Sequence, residues 1–316
     1  MSFAERGTQA VSAVVALLAE AIDYAGLFPP AALDMPGAVA EYASYLESAD
    51  RWALGKFVVP AARLEELADV ARATRADRDG AYAPARTWRL SAVFAADVAG
   101  EMERVNAFHH AHGATGRGWS ARVEAIEVRA QSADDVRAFA AAIPPEIDRF
   151  IEVPVSGDVG PLVRAIGSAN AFAKIRTGGT TADAFPSSDD VARFLSACVT
   201  EGVRFKATAG LHHPVRGEYP LTYAPDSARG TMFGFLNIFL AAAFLGAGES
   251  ETVAGAVLDE RRADAFRFDD HHVSWNGHTL SIDQLAVARA GTIRSFGSCS
   301  FREPIDELES LRLVWP

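Results

Sequence analysis

The sequence predicts a single (β/α)8 barrel, and three observations carry that prediction. Short apolar runs rich in β-branched and aromatic residues begin at residues 56 (KFVVP), 88 (WRLSAVF), 122 (RVEAIEV), 149 (RFIEVPV), 171 (AFAKIR) and 203 (VRFKAT). Helical patterns fill the gaps between them, and strands alternating with helices at this spacing mean parallel βαβ units. A doubly wound open sheet is the runner-up. It loses its usual support because no GxGxxG follows the first strand and no GxxxxGK[ST] occurs.

The elements follow in order. Residues 8–25 read as a helix, followed by Leu27-Phe28-Pro29-Pro30. Asp34 is placed to cap a second helix that runs to about Glu47. These make two extra N-terminal helices in a segment 1–48, ahead of a barrel over 56–316, all within one domain. Helices are expected at Ala61–Thr74, Asp97–His112, Ser132–Ile143 and Ser187–Gly202, with an exposed loop at 75–86. Ser132-Ala133-Asp134-Asp135 and Ser188-Asp189-Asp190 supply a cap and early acids where a helix N-terminus favours them. Two more strands, Ala265–Phe268 and Thr292–Phe296, bring the count to eight. Helical segments at 231–247, 250–259, 281–290 and 303–312 complete the pattern.

With 316 residues and 49% hydrophobic content, the chain is long enough for one large α/β domain. A net charge of -11 argues against a broad nucleic-acid or anionic-membrane surface. Only two cysteines, Cys198 and Cys299, are present, so neither a disulfide scaffold nor a CxxC zinc site is expected. The first residues lack the layout of a signal peptide, and a soluble, cytoplasmic protein is expected. The apolar run from Met232 to Gly248 is too short to span a bilayer. A buried helix or a subunit interface is expected there, which makes a homo-oligomer plausible.

Strand parity then sorts the side chains. Helices pack on the outside of a barrel, so the apolar residues of each strand face out. Ala173 and Ile175 outward turn Lys174 and Arg176 inward; Phe205 and Ala207 outward turn Lys206 and Thr208 inward. The same rule brings Glu152, Glu127, Arg89 and Ser91 inside. A structural barrel fills these layers with Val, Ile and Leu, and charges at the C-terminal strand ends read as a site.

The chemistry of that set points to carbonyl substrates. A lysine beside another cation and walled by apolar groups can offer a neutral amine and form an imine. Lys206 is the better nucleophile if Lys174 or Arg176 supplies the neighbouring charge, and the opposite assignment is nearly as good. Glu152 or Glu127 is positioned to move protons. Arg176, Thr177, Gly178, Gly179 and Thr208, together with His213, Arg216 and Ser298, are candidates for binding a small anionic substrate. No cofactor is required. In an alternative reading, His212 or His213 joins Glu152 to hold a divalent metal in a lyase, isomerase or hydrolase. A third is a non-catalytic barrel that binds an anion or a partner. Cys299 is a possible nucleophile without a base nearby in sequence. Asp23, Tyr24 and Phe28-Pro29-Pro30 are placed to close one barrel end. His109, His110 and His112 suit a helix C-terminus, and His271, His272 and His278 suit a solvated turn.

Lys174-Ile175-Arg176-Thr177-Gly178 resembles the strand carrying the Schiff-base lysine in deoxyribose-phosphate aldolase and its class I aldolase relatives, Lys-x-Ser-Thr-Gly. Lys206-Ala207-Thr208-Ala209-Gly210 is similar to the next strand of that family, where a second lysine precedes a Gly-rich phosphate loop. The resemblance covers residues 171–210. It implies a barrel, an imine on Lys174, and Lys206 as the cation that favours the neutral amine. Arg176 stands where the family has a small residue, and Leu211-His212-His213-Pro214 where it has a phosphate-binding turn. The strand order matches if the segment around Ile22–Phe28 is counted as a strand.

Overall fold

The computed structural model describes residues 12–76, 87–113 and 119–313. Eight parallel strands close into a barrel: β1 (Ile22–Tyr24), β2 (Leu54–Pro60), β3 (Trp88–Val93), β4 (Ala121–Arg129), β5 (Asp148–Glu152), β6 (Phe172–Arg176), β7 (Phe205–Thr208) and β13 (Ile293–Ser298), with β13 pairing back onto β1. Helices α2 (Met35–Glu47), α3 (Leu64–Ala76), α4 (Val98–His112), α5 (Ala133–Ala142), α6 (Gly160–Ser168) and α7 (Ser188–Thr200) follow the first six strands in turn. The protein is a (β/α)8 barrel, and α1 (Ser12–Leu18) precedes it. The expected loop at 75–86 lies outside the described residues from residue 77 onward.

Two strand assignments differ from the sequence reading. The eighth barrel strand is β1, so the barrel begins at Ile22 and the second N-terminal helix is the helix of its first β/α unit. The run Ala265–Phe268 is not in the barrel. It forms β10 (Phe266–Phe268), in an antiparallel sheet with β11 (His272–Trp275) and β12 (His278–Ser281). Asn276 and Gly277 join β11 to β12 with φ of 44° and 87°. That is the left-handed pair a two-residue hairpin needs.

The segment between β7 and β13 is far longer than a single β/α crossover. It holds the hairpin β8 (Gly217–Pro220) and β9 (Arg229–Met232), helices α8 (Phe235–Gly246) and α9 (Glu251–Asp259), the three-stranded sheet, and α10 (Ile282–Gly291). Helix α11 (Arg302–Ser310) closes the ring after β13. Every residue of α8 from Phe235 to Leu245 is buried within this one chain, against α7, α9, α10 and β13. The apolar run is therefore an internal helix, and the expectation of a subunit interface there loses its basis. Among the described residues no helix is long and apolar enough to cross a membrane.

Packing on the outside of the barrel follows the parity rule. Tyr24 faces α2 and meets Phe57 and Tyr45 at ring-centroid distances of 5.3 and 5.4 Å; Tyr42 packs on Phe57 at 5.0 Å and Trp88 at 5.1 Å. With Ile22 and Tyr24 outward, Asp23 has no choice but the interior. Inside, Ala125, Phe150 and Phe172 form a separate apolar cluster. Near the N-terminal strand ends, Arg294–Asp148 at 2.9 Å, Arg89–Glu124 at 2.8 Å and Arg89–Glu20 at 2.7 Å form polar contacts. The base of the barrel is thus closed.

One buried polar side chain ties the long insertion together. Asn237, fully buried in α8, accepts from the Arg216 backbone N–H at 2.8 Å and donates to the carbonyls of Val257 (2.7 Å) and Glu260 (2.8 Å). Replacing it by alanine leaves three backbone groups without partners. Asn237→Ala should lower the unfolding free energy by about 3 kcal/mol in urea denaturation, with a loss below about 1 kcal/mol contradicting this role.

Candidate functional site

The pairing register, more than any single motif, builds the site. Arg129 lies opposite Glu152, Glu152 opposite Lys174, Lys174 opposite Lys206, and Lys206 opposite Ser295. Five strands therefore place their inward side chains in one row. Asp23 from β1 and Glu127 from β4 reach into the same layer, giving a continuous chain of alternating charge. Lys206 Nζ lies 2.5 Å from Asp23 and 2.7 Å from Glu127. Lys174 Nζ lies 2.8 Å from both Glu127 and Glu152, and Arg129 closes on Glu152 at 2.5 Å. Ser91 donates to Glu127 at 2.7 Å, and Ser295 and the Lys56 backbone N–H donate to Asp23 at 2.8 and 2.7 Å.

Burial makes these contacts obligatory. Asp23, Glu127, Glu152, Lys174 and Lys206 are all buried, and an unpaired charge there costs several kcal/mol (on the order of 3–5). Burial pushes the Asp23 and Glu127 carboxyls up, but the lysines outweigh it and hold both below the ordinary carboxylate range. Burial also opposes charge separation at Glu152, where Lys174 and Arg129 prevail and hold it low. Burial works against the Lys206 ammonium; Asp23 and Glu127 reverse that and raise it. Phe150 lies under the Lys206 ammonium at 5.5 Å, so the apolar cluster is the floor beneath the charged layer.

Above the floor opens a cavity of about 640 Å³ at the C-terminal strand ends. Glu127, Glu152, Lys174, Arg176, Lys206, Thr208, Gly179, His212 and His213 all border it. Ala25, Phe28, Pro29 and Pro30 after β1 form one wall, as the placement of that segment suggested. The β8–β9 hairpin roofs it through Leu221, Thr222, Tyr223 and Met232.

Other expected residues sit elsewhere. Thr177, Gly178 and Ser298 lie behind the cavity wall. Thr177 donates through its backbone to the Thr208 carbonyl at 2.8 Å and through its hydroxyl to that of Ala209 at 2.9 Å. Gly178 and Gly210 explain the glycine after each lysine strand. A Cβ on Gly210, whose φ is +72°, would lie 2.9 Å from Phe185 and 3.3 Å from the Gly178 Cα. Arg216 is absent from the cavity wall: its guanidinium covers Phe233 at 4.4 Å and lies 3.6 Å from Asp259. Its guanidinium is taken up inside the insertion. His212 and His213 face Glu303 (3.4 Å) and Glu307 (2.6 Å) instead of Glu152. Among the described residues no group of three or more His, Cys, Asp and Glu side chains is arranged as a metal site.

No known family, curated protein or solved structure matches this chain.

Several members of the site were missed or undervalued from sequence. Arg129 shares the parity of Glu127, but the apolar alternation stops at Val128 and does not mark it as the last residue of β4. Tyr223 and Glu303 come from the hairpin and α11, which no local pattern ties to the barrel mouth. A plainer signal was available in composition. The chain has only three lysines, Lys56, Lys174 and Lys206, against 27 arginines, and all three lysines are buried.

The lowered carboxyls contribute stability above about pH 4.5 and lose it as pH falls through their depressed values. The raised Lys206 contributes below about pH 10.5 and loses it as pH rises through its elevated value. Stability should therefore hold a plateau between those limits and fall on both sides. Lys206→Met should cost about 3–5 kcal/mol at pH 7 in urea denaturation. The deficit should shrink toward pH 5, because a buried carboxylate without its cation is relieved by protonation. A deficit independent of pH would contradict the network.

Proposed function

We propose that the protein is an enzyme acting on a small anionic carbonyl compound through an imine at Lys174, in aldol cleavage or condensation or a related lyase reaction. The observation that carries this reading is a primary amine, only 6% exposed, opening onto a cavity at the C-terminal end of a barrel. That end is where barrel enzymes assemble their chemistry. Lys206 is fully buried and bracketed by Asp23 and Glu127, so it acts as the supporting cation.

The use of lysine supports the same reading. Surface cations here are arginines, and a guanidinium would pair with carboxylates at least as well as an ammonium. Lysine is kept only inside the barrel. Space and chemistry both separate the two side chains, and the chemical difference is that an amine can condense with a carbonyl. The local resemblance of residues 171–210 to class I aldolases points the same way.

Side chains within reach of Lys174 support such a reaction. Attack on a carbonyl carbon requires Lys174 to shed a proton, and Glu152, held as a carboxylate 2.8 Å away, is in reach to accept it. Loss of water from the carbinolamine then gives an iminium, with Glu152 returning the proton to the departing oxygen. The iminium draws electrons from the neighbouring bond: a C–C bond whose β-hydroxyl gives its proton to Glu152 and leaves as an aldehyde, or a C–H bond whose proton passes to Glu152, and either leaves an enamine. Arg129, well exposed at the rim, and Arg176, also exposed, bring two cations to the mouth for an anionic group. Both are able to grip a carboxylate or phosphate in bidentate fashion.

Borohydride reduction in the presence of a panel of aldehydes and keto acids tests this directly. A stable mass adduct should map to Lys174 for at least one compound. The absence of exposed lysines keeps the background low. An adduct confined to the N-terminal amine across the panel would sink the imine reading.

A further inference from the structure

The cavity has a second wall that the lysine chemistry leaves unused. Cys299 follows directly on β13, is 4% exposed and borders the cavity. His212, arriving from the loop after β7, places its Nδ1 3.6 Å and its Nε2 4.0 Å from the Cys299 Sγ. Glu303 on α11 lies 3.4 Å from His212 Nδ1, and the Ser298 hydroxyl 3.3 Å from the same nitrogen. The Tyr223 hydroxyl, from the hairpin, lies 3.4 Å from Sγ and donates to Glu303 at 2.9 Å. A sulfur, an imidazole and a carboxylate that orients it, drawn from three separate elements, meet at one point of the cavity wall. The sulfur and the carboxylate converge on His212 Nδ1, so the ring can exchange a proton with the thiol while the carboxylate steadies its charged form.

We propose that Cys299, served by His212, Glu303 and Tyr223, is a second reactive centre of this cavity, a thiol that adds reversibly to small aldehydes. The proton balance favours addition. Burial opposes a charged His212, but its contacts with Cys299 and Glu303 raise it to about 9, so near neutral pH the ring is a proton donor. In the step, the Sγ–C bond forms and the C=O π bond breaks onto oxygen. That oxygen takes a proton from the charged His212 ring, and the S–H proton passes to the ring in its place, so the ring ends the step as it began it. The product is a thiohemiacetal; nothing leaves, and no oxidant is consumed. Tyr223, its hydroxyl proton engaged by Glu303, holds that carboxylate in place beside the sulfur. The other cysteine offers a contrast: Cys198 is fully buried in α7, and burial pushes its thiol well up.

This centre does not require an imine at Lys174, and its test is kept separate. Iodoacetamide on the folded wild-type protein should label Cys299 and spare Cys198. His212→Gln should slow that labelling at least about tenfold. With [1-13C]acetaldehyde, the wild type should show a protein-bound thiohemiacetal carbon that Cys299→Ser lacks. The acetaldehyde comparison holds even if the His212 variant folds poorly. Borohydride trapping on Cys299→Ser reports on Lys174 alone, so the two readings can fail independently. Labelling equal in wild type and His212→Gln, or carbon spectra identical in wild type and Cys299→Ser, would overturn the proposal.

Discussion

The structure depends on one electrostatic constraint: no member of the interior charge chain can be removed without stranding another. Asp23, Lys206, Glu127, Lys174, Glu152 and Arg129 alternate in sign across the barrel. Only its Arg129 end reaches well into solvent, with its side chain 62% exposed. Each buried charge is tolerable because its neighbours neutralise it, and Ser91, Ser295 and the Lys56 amide occupy remaining carboxylate lone pairs. Lys174 is the lysine next to the open end and Lys206 the one deeper in. That difference in depth, not a difference in residue type, separates a candidate nucleophile from its support.

The barrel supplies this row through register and parity alone. Inward positions on adjacent strands are brought level by pairing, so five short sequences far apart in the chain converge without any shared motif. The turn after each lysine strand must then clear its neighbour, and the close approach of Gly178 and Gly210 under Phe185 does so. The site and the fold are in this sense the same object. The long insertion after β7 adds what the barrel lacks: a roof, and the His212 and Tyr223 side chains that meet Cys299 and Glu303.

Most of this was legible in the sequence because it rests on period-two alternation. Lys174, Lys206, Glu127 and Glu152 were readable as interior from their apolar neighbours alone. What escaped was non-local. Three residues, Ile22–Tyr24, are too few to show alternation, and they hid behind the helical pattern that precedes them. An apolar run such as Phe266–Phe268 looks alike in a barrel and in an antiparallel ribbon, although the nearby Asn276-Gly277 marked a hairpin. Arg216 was assigned to the cavity by its distance from β7 along the chain, whereas the loop carries it to Phe233. The partnership of Cys299 with His212 spans 87 residues and exists only once the strands close.

The central claim is that Lys174 matters as an amine and not only as a charge. Exchange of α-hydrogens with solvent deuterium, followed by NMR on small aldehydes and keto acids, reads enamine formation without knowledge of the natural substrate. Lys174→Arg preserves the positive charge between Glu127 and Glu152 but cannot condense with a carbonyl. The account predicts exchange catalysed by the wild type and reduced at least about a hundredfold in Lys174→Arg. Equal exchange by the two proteins would contradict it.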